Sequence, residues 1–290
     1  MIYTIHNEHL TVQISDHGAE LQSIKDAEGG EWLWQGDAQY WEDRAPILFP
    51  FCGRFWNGLC TVDGVPYDPG MHGFLRHSVL KAEQRGDDAI AFILRSDEES
   101  LKKYPFAFEM KMCYELVENR LVIRAEVTNT GDRTLPYGYG GHPGFCVQYA
   151  GGALEDYYVC FPGENDAKAL CFDPNNCFLT GGTKPFPMRD GNKFDLNDAF
   201  FETGSSFLID MPKEITLKTD LSKKHLTMRY EDFPYLGFWK AQGGKFICIE
   251  PWTSMCATWG ENTELNEKPD LVRVAPGETK KHEYSVEICY

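Results

Sequence analysis

The chain has 290 residues, 42% apolar and 14% aromatic, enough buriable surface for a sizeable core and too much for a disordered segment. Its 28 Lys and Arg stand against 44 Asp and Glu, and a formal net charge of -16 repels phosphate backbones and anionic lipid, so neither nucleic acid nor a membrane is an expected partner. No apolar run reaches the roughly 18 residues of a membrane span.

The N-terminus, Met1-Ile-Tyr-Thr-Ile-His-Asn-Glu8, has neither a basic start nor an apolar signal-like region, and the ten cysteines include no C-x-x-C pair. Reduced core thiols in a cytoplasmic protein are the expectation.

In chain order, residues 10–14 read as the first short strand, and Glu28-Gly-Gly30 as a turn. A second turn at Arg85-Gly-Asp-Asp88 precedes a strand at 89–94, and residues 97–103 suit one or two helical turns. The clearest alternation runs over 106–116, where Phe106, Phe108, Met110, Met112, Tyr114 and Leu116 share one face. After Asn119 the pattern resumes at 121–128 with Leu121, Ile123, Ala125 and Val127, which predicts a hairpin. Residues 161–201, rich in Asp, Asn, Pro and Gly, read as long connections over one end of the sheets, where a site is often rimmed. Further strands follow at 215–217, 226–230, 246–249 and 284–288, with a turn at Gln242-Gly-Gly244. Many strands, few short helices and no βαβ alternation predict an all-β fold, a large antiparallel sandwich or barrel, as a single domain over 1–290.

Four segments combine polar groups with apolar or glycine-rich surroundings. Pro46-Ile-Leu-Phe-Pro-Phe-Cys-Gly-Arg54 ends an apolar run on a guanidinium that suits either paired sugar hydroxyls or a structural ion pair. Gly70-Met-His-Gly-Phe-Leu-Arg76 sets His72 between glycines that let backbone approach a ligand closely, although a lone histidine of this kind more often serves the structure. Pro136-Tyr-Gly-Tyr-Gly-Gly-His-Pro-Gly-Phe145 leads to His142, which Pro143 holds extended. Phe246-Ile-Cys-Ile-Glu-Pro-Trp252 interrupts a buried strand with Glu250, a costly placement unless the carboxylate is paired or used.

No H-E-x-x-H, paired cysteine ligands, P-loop, G-x-S-x-G or strand-to-helix G-x-G-x-x-G is present. The expectation is therefore no cofactor and no metal.

Taken together, these segments resemble the aldose 1-epimerase family, also called galactose mutarotases, and in particular its bacterial branch associated with lactose and galactose operons. The likeness spans nearly the whole chain. It includes Gly18-Ala-Glu-Leu-Gln-Ser-Ile24, Trp32-Leu-Trp34, Leu48-Phe-Pro-Phe-Cys-Gly-Arg54 and His72-Gly-Phe-Leu-Arg76. It continues through Gly141-His-Pro-Gly-Phe145, Leu236-Gly-Phe-Trp-Lys240 and Cys248-Ile-Glu-Pro-Trp252 to residues 271–277. The resemblance implies a galactose mutarotase-like supersandwich with a cleft on one sheet face. It implies His142 as general acid, Glu250 as general base, and Arg54 and His72 on ring and anomeric oxygens; Trp239 and Lys240, which end the matching segment 236–240, are further candidate sugar contacts. Two features depart from the family: Asp232 is the nearest candidate for its sugar-gripping aspartate but lies in no matching motif, and Thr253-Ser-Met-Cys-Ala-Thr-Trp-Gly260 differs from the usual form.

Opening a cyclic aldose requires the anomeric hydroxyl to lose a proton while the ring oxygen gains one, so two groups of opposite protonation state suffice. The expected activity is a cofactor-independent isomerase acting on the anomers of a hexose, in a monomer or weak homodimer. Alternatives on the same fold are a non-catalytic carbohydrate-binding or sugar-sensing module, and a mutarotase for a hexose 6-phosphate held by Arg54, Arg76 and Lys240. A glycosidase is weaker, because Glu250 lacks a motif-level carboxylate partner.

Overall fold

The computed structural model describes residues 1–173 and 175–290. Its spine is the predicted hairpin: Phe108–Val117 pairs antiparallel with Arg120–Asn129, from Phe108 opposite Asn129 to Val117 opposite Arg120. Period-two alternation sets this register, because a slip of one residue would turn the row from Phe108 to Leu116 out of the core.

The hairpin sits inside a nine-stranded sheet. Its order is Lys193–Asp195, Tyr157–Cys160, Glu214–Thr219, His225–Arg229, Thr279–Cys289, Arg120–Asn129, Phe108–Val117, Ala89–Arg95 and Lys81–Gln84. A second, eight-stranded sheet runs Leu179–Pro185, Lys168–Phe172, Ser206–Ile209, Tyr235–Trp239, Phe246–Trp252, Gly140–Gly141 and Ile47–Leu48, with Gly144–Cys146 also paired to Phe246–Trp252. Side chains from the two sheets meet in one core. Phe49 lies 5.0 Å from Phe108, and Phe194 lies 5.7 Å from Phe238, ring centre to ring centre. Each such apolar side chain contributes roughly 1.5–3 kcal/mol on burial. Among the described residues the one α-helix is Glu98–Lys103, where Asp97 accepts from the Ser100 N–H and the Ser100 hydroxyl accepts from the Asp97 N–H.

One expectation needs correcting. Residues 161–201 are not simply connections, since they hold the strands Lys168–Phe172, Leu179–Pro185 and Lys193–Asp195. The first two form a hairpin at the edge of the eight-stranded sheet. Leu179–Pro185 is exposed along almost its whole length, so it has no apolar alternation to read.

The strand Phe246–Trp252 is buried at every position because both faces of its sheet are covered. Ile247 and Ile249 enter the shared core. On the outer face, Phe246 and Cys248 pack with Trp34, and Trp252 packs with Leu48, Cys52, Phe207 and Met255. Glu250 belongs by alternation to this outer face, where the second covering layer leaves a cleft.

Candidate active site

Strand register brings the predicted acid and base together. Gly140 pairs with Trp252 and Gly144 with Cys248, so the same antiparallel register carried through the break at 142 and 143 sets His142 across from Glu250. Their side chains meet: Nε2 of His142 lies 3.3 Å from Oε2 of Glu250. The carboxyl side chain is 1% exposed and the imidazole 13%. The other polar atom of each group, Nδ1 of His142 and Oε1 of Glu250, is buried without a hydrogen-bond partner, as is the indole nitrogen of Trp252. Buried polar atoms rarely stay unpaired unless a ligand or water completes them.

Burial decides the electrostatics of the pair. It pushes His142 down from the usual imidazole range to about 4, with Arg76 pushing further down and Asp43 opposing. It holds Glu250 well above the usual carboxylate range. Both shifts favour the neutral pair, a carboxyl that keeps its proton beside an imidazole whose Nε2 can accept one.

The cleft has a volume of about 360 Å³, at the small end of the roughly 300–1,000 Å³ of ligand sites. Trp41 and Trp239 flank His142 at 5.2 and 5.8 Å. On the other side His72 lies 5.9 Å from His142 and 5.5 Å from Trp252. His72 has a left-handed backbone with φ 62, rare for a residue with a side chain. Two bonds hold it there: its N–H donates to the Gly53 carbonyl at 2.7 Å, and Nδ1 accepts from the Gly53 N–H at 3.0 Å. Because Nδ1 is an acceptor, the neutral ring carries its hydrogen on Nε2 and has a donor to offer. Burial, and then the charges of His142, Arg76 and Arg54, keep this ring well below the usual imidazole range.

Gly53 cannot be replaced without moving the cleft wall. Its φ is 81, and a Cβ there would lie 2.5 Å from the Cβ of Cys256. It delivers Arg54 to the mouth of the cleft, exposed and with no ion-pair partner among the described residues.

Five of the six anticipated site residues, Arg54, His72, His142, Trp239 and Glu250, therefore line one cleft. Lys240 does not. It follows Trp239 and so faces the other way, fully buried, its ammonium on Asp198 and, at 2.9 Å, on the Ala241 carbonyl. Asp232 is also remote from the cleft and accepts from the Glu283 N–H at 3.1 Å. Tyr139 is core, stacked 5.6 Å from His282.

Sequence reasoning missed Trp41 and Asp43, which come from the irregular loop before Ile47–Leu48 and carry no periodic signal. Asp43 pairs with Arg76 at the cleft. The segment singled out as rimming a site does so, supplying Phe172 and Cys177.

Potential ligand atoms of His142, Cys248 and Glu250 lie within 4.8 Å of one another, close enough to surround a cation. Burial pushes the Cys248 thiol and the Glu250 carboxyl well above their usual ranges, against the ionised forms that a cation requires. All ten cysteines are free, and only Cys52, Cys60, Cys248 and Cys256 are fully buried. No helix among the described residues is long and apolar enough to cross a membrane.

With this geometry in place, comparison with known proteins gives a consistent picture. Residues 1–287 match the family model described as Aldose 1-epimerase. The chain is 32% identical to the chromosomal Protein LacX of Lactococcus lactis subsp. lactis over 298 residues, covering 99% of each. Among solved structures it is similar to a galactose mutarotase related enzyme from Lactobacillus acidophilus, with TM-score 0.93 and 32% identity, covering 100% of this chain and 98% of that one. A galactose mutarotase-like protein from Lactobacillus casei ATCC 334 gives TM-score 0.93 and 28% identity over 100% of both chains. The β-sandwich, the whole-chain match and these relatives agree, and the chain belongs to the aldose 1-epimerase family.

Proposed function

We propose that this protein interconverts the α and β anomers of an aldose by acid and base ring opening, with no cofactor taking part. The observation that carries the reading is the buried contact between His142 and Glu250 at 3.3 Å, each group keeping one unpaired polar atom beside a sugar-sized cleft. Family membership supports a sugar epimerase or mutarotase role.

In the proposed cycle the bound sugar draws the shared proton onto the imidazole. Glu250 then takes the O1 proton as His142 gives one to the ring oxygen, which breaks the C1–O5 bond and leaves the open aldehyde. After rotation about C1–C2 the transfers run backwards on the other face of C1. The pair keeps one proton at both stages, and each group contributes about 10²–10⁴-fold. The neutral pair favoured by burial is also the state that accompanies the aldehyde. His72 donates from Nε2, Arg54 holds hydroxyls at the mouth, and Trp239 with Trp41 packs the ring and keeps the imidazole in place.

A phosphorylated sugar fits less well, since Arg76 is paired with Asp43 and Lys240 with Asp198, leaving Arg54 alone for a dianion. The test is NMR exchange between anomers of glucose and galactose, free and 6-phosphorylated. Acceleration that His142→Asn and Glu250→Gln both abolish supports the reading. Sugar binding with no acceleration in the parent protein would instead identify a binding or sensing module.

A further inference from the structure

Two of the ten cysteines, Cys177 and Cys256, line the cleft that holds His142 and Glu250. They come from segments far apart in the chain that meet as neighbours. Leu179 bridges Thr258 in parallel, the Leu179 N–H donating to the Ala257 carbonyl at 3.2 Å and the Trp259 N–H to the Leu179 carbonyl at 2.8 Å. Counting back two positions along each segment sets Cys177 beside Cys256. Neighbouring strands run about 4.8 Å apart, inside the roughly 4.4–6.8 Å that separates the α-carbons of a bridged pair. The side-chain contact agrees, since the Cys256 thiol donates to the Cys177 carbonyl at 3.5 Å.

The two thiols differ in access. Cys177 is half-buried and Cys256 buried. Space beside the Cys177 sulfur is kept by Gly204, another cleft residue, where a Cβ would lie 3.4 Å from Sγ. Burial pushes the Cys256 thiol up to about 11, against a backbone contact with Leu179 and the charges of Lys268 and Arg54. Cys177 is therefore the thiol that a small oxidant in the cleft meets first.

Cys256 is also wedged against the frame of the site. Its Cβ packs on Gly53, whose N–H and carbonyl hold His72 in its left-handed backbone. The next residue, Ala257, donates from its N–H to the Arg54 carbonyl at 3.0 Å. A close-packed wall transmits strain, so a shift of Cys256 reaches both His72 and Arg54.

We infer that Cys177 and Cys256 form a redox-sensitive thiol pair, which hydrogen peroxide converts to a disulfide that deforms the cleft wall at His72 and Arg54. The Cys177 thiolate attacks one peroxide oxygen, the O–O bond breaks, and the products are a sulfenic acid on Cys177 and water. The Cys256 sulfur then attacks the Cys177 sulfur, and the sulfenic oxygen leaves as a second water with the Cys256 proton. The thiols are oxidised by two electrons and the peroxide is reduced by two. A transient disulfide of this kind is the form in which redox sensing occurs among otherwise reduced thiols. Its effect on turnover rests on the proposed anomer interconversion; the bond itself does not.

The experiment treats the whole protein with hydrogen peroxide, blocks the remaining thiols by alkylation, and maps the linked peptides by mass. In parallel, kcat/KM for anomer exchange of glucose and galactose is read before and after dithiothreitol, which reverses a disulfide but not the higher oxidation products. The map should show Cys177 joined to Cys256. Oxidation should lower kcat/KM roughly ten- to a hundredfold, the scale of displacing substrate-positioning groups by about 1 Å, and dithiothreitol should restore it. In Cys177→Ser and Cys256→Ser the oxidised and reduced values should agree; each variant is its own reference, so a change in basal activity cancels. Linkage of either cysteine to another residue, both left as free thiols while activity falls, or equal losses in the serine variants would overturn the pair. A Cys177–Cys256 bond that leaves kcat/KM unchanged would overturn its coupling to the cleft. If the reduced parent exchanges no sugar, the proposed activity fails, and the map decides the thiol pair together with tryptophan fluorescence titration, in which oxidation must weaken sugar binding.

Discussion

His142 and His282 are both buried, both pushed down to about 4 by that burial, and both have an Nδ1 with no partner. Yet they sit in different chemical worlds. His282 lies in the core between Tyr139 and Phe233, and its Nε2 is 2.7 Å from the Tyr137 hydroxyl, a hydrogen bond to a buried phenol. His142 faces a carboxyl group across an open cleft. A depressed pKa therefore does not mark a catalytic histidine. What separates the two is a titratable partner and a cavity that both can reach.

The largest effect that could break this contrast is loss of the pair itself. Glu250→Gln and His142→Asn should each lower kcat by about 10²–10⁴-fold in an anomer exchange assay, with sugar binding still measurable. A loss below tenfold in both would put His142 on the same footing as His282. Next comes pH. As pH falls through about 4 the pair gains a second proton and loses its base, and as pH rises past the raised value of Glu250 it loses the only proton it has. The kcat/KM profile should thus be flat across neutrality, with its acid limb near 4 instead of near an ordinary imidazole value.

Arg54→Met probes the mouth and should raise KM roughly tenfold with kcat nearly unchanged, as expected for a charge-assisted bond made equally in ground and transition states. Smaller effects fall on stability alone. His282→Phe leaves the Tyr137 hydroxyl buried and unpaired, so it should cost about 1–3 kcal/mol by urea denaturation while kcat holds. Lys240→Met should cost about 1–2 kcal/mol, because the abandoned Asp198 carboxylate is 42% exposed and water can solvate it; a loss of activity would return Lys240 to the site.

The all-β architecture was legible because burial on one face leaves a period of two, as from Phe108 to Leu116. Glu250 and His142 were legible for a different reason. A carboxylate within a run of core residues and a histidine among glycines both contradict their surroundings, and such local contradictions tend to mark sites. Trp41 and Asp43 left no trace, since a loop residue gains its position from tertiary contacts and not from its neighbours in sequence. Lys240 was misplaced for want of a strand register: in Tyr235–Trp239, Trp239 faces the cleft, so the next residue turns away. The hairpin of Lys168–Phe172 and Leu179–Pro185 was missed because an exposed edge strand has no apolar face.

The shared proton of His142 and Glu250 has one more consequence for the proposed reaction. Each proton that one residue removes from the sugar is matched by one that the other supplies, so every turnover returns the protein to its starting state without drawing on solvent. No shuttle to bulk water is needed, and the catalysed rate should not change with buffer concentration at fixed pH and ionic strength, unlike the spontaneous ring opening that buffers themselves promote.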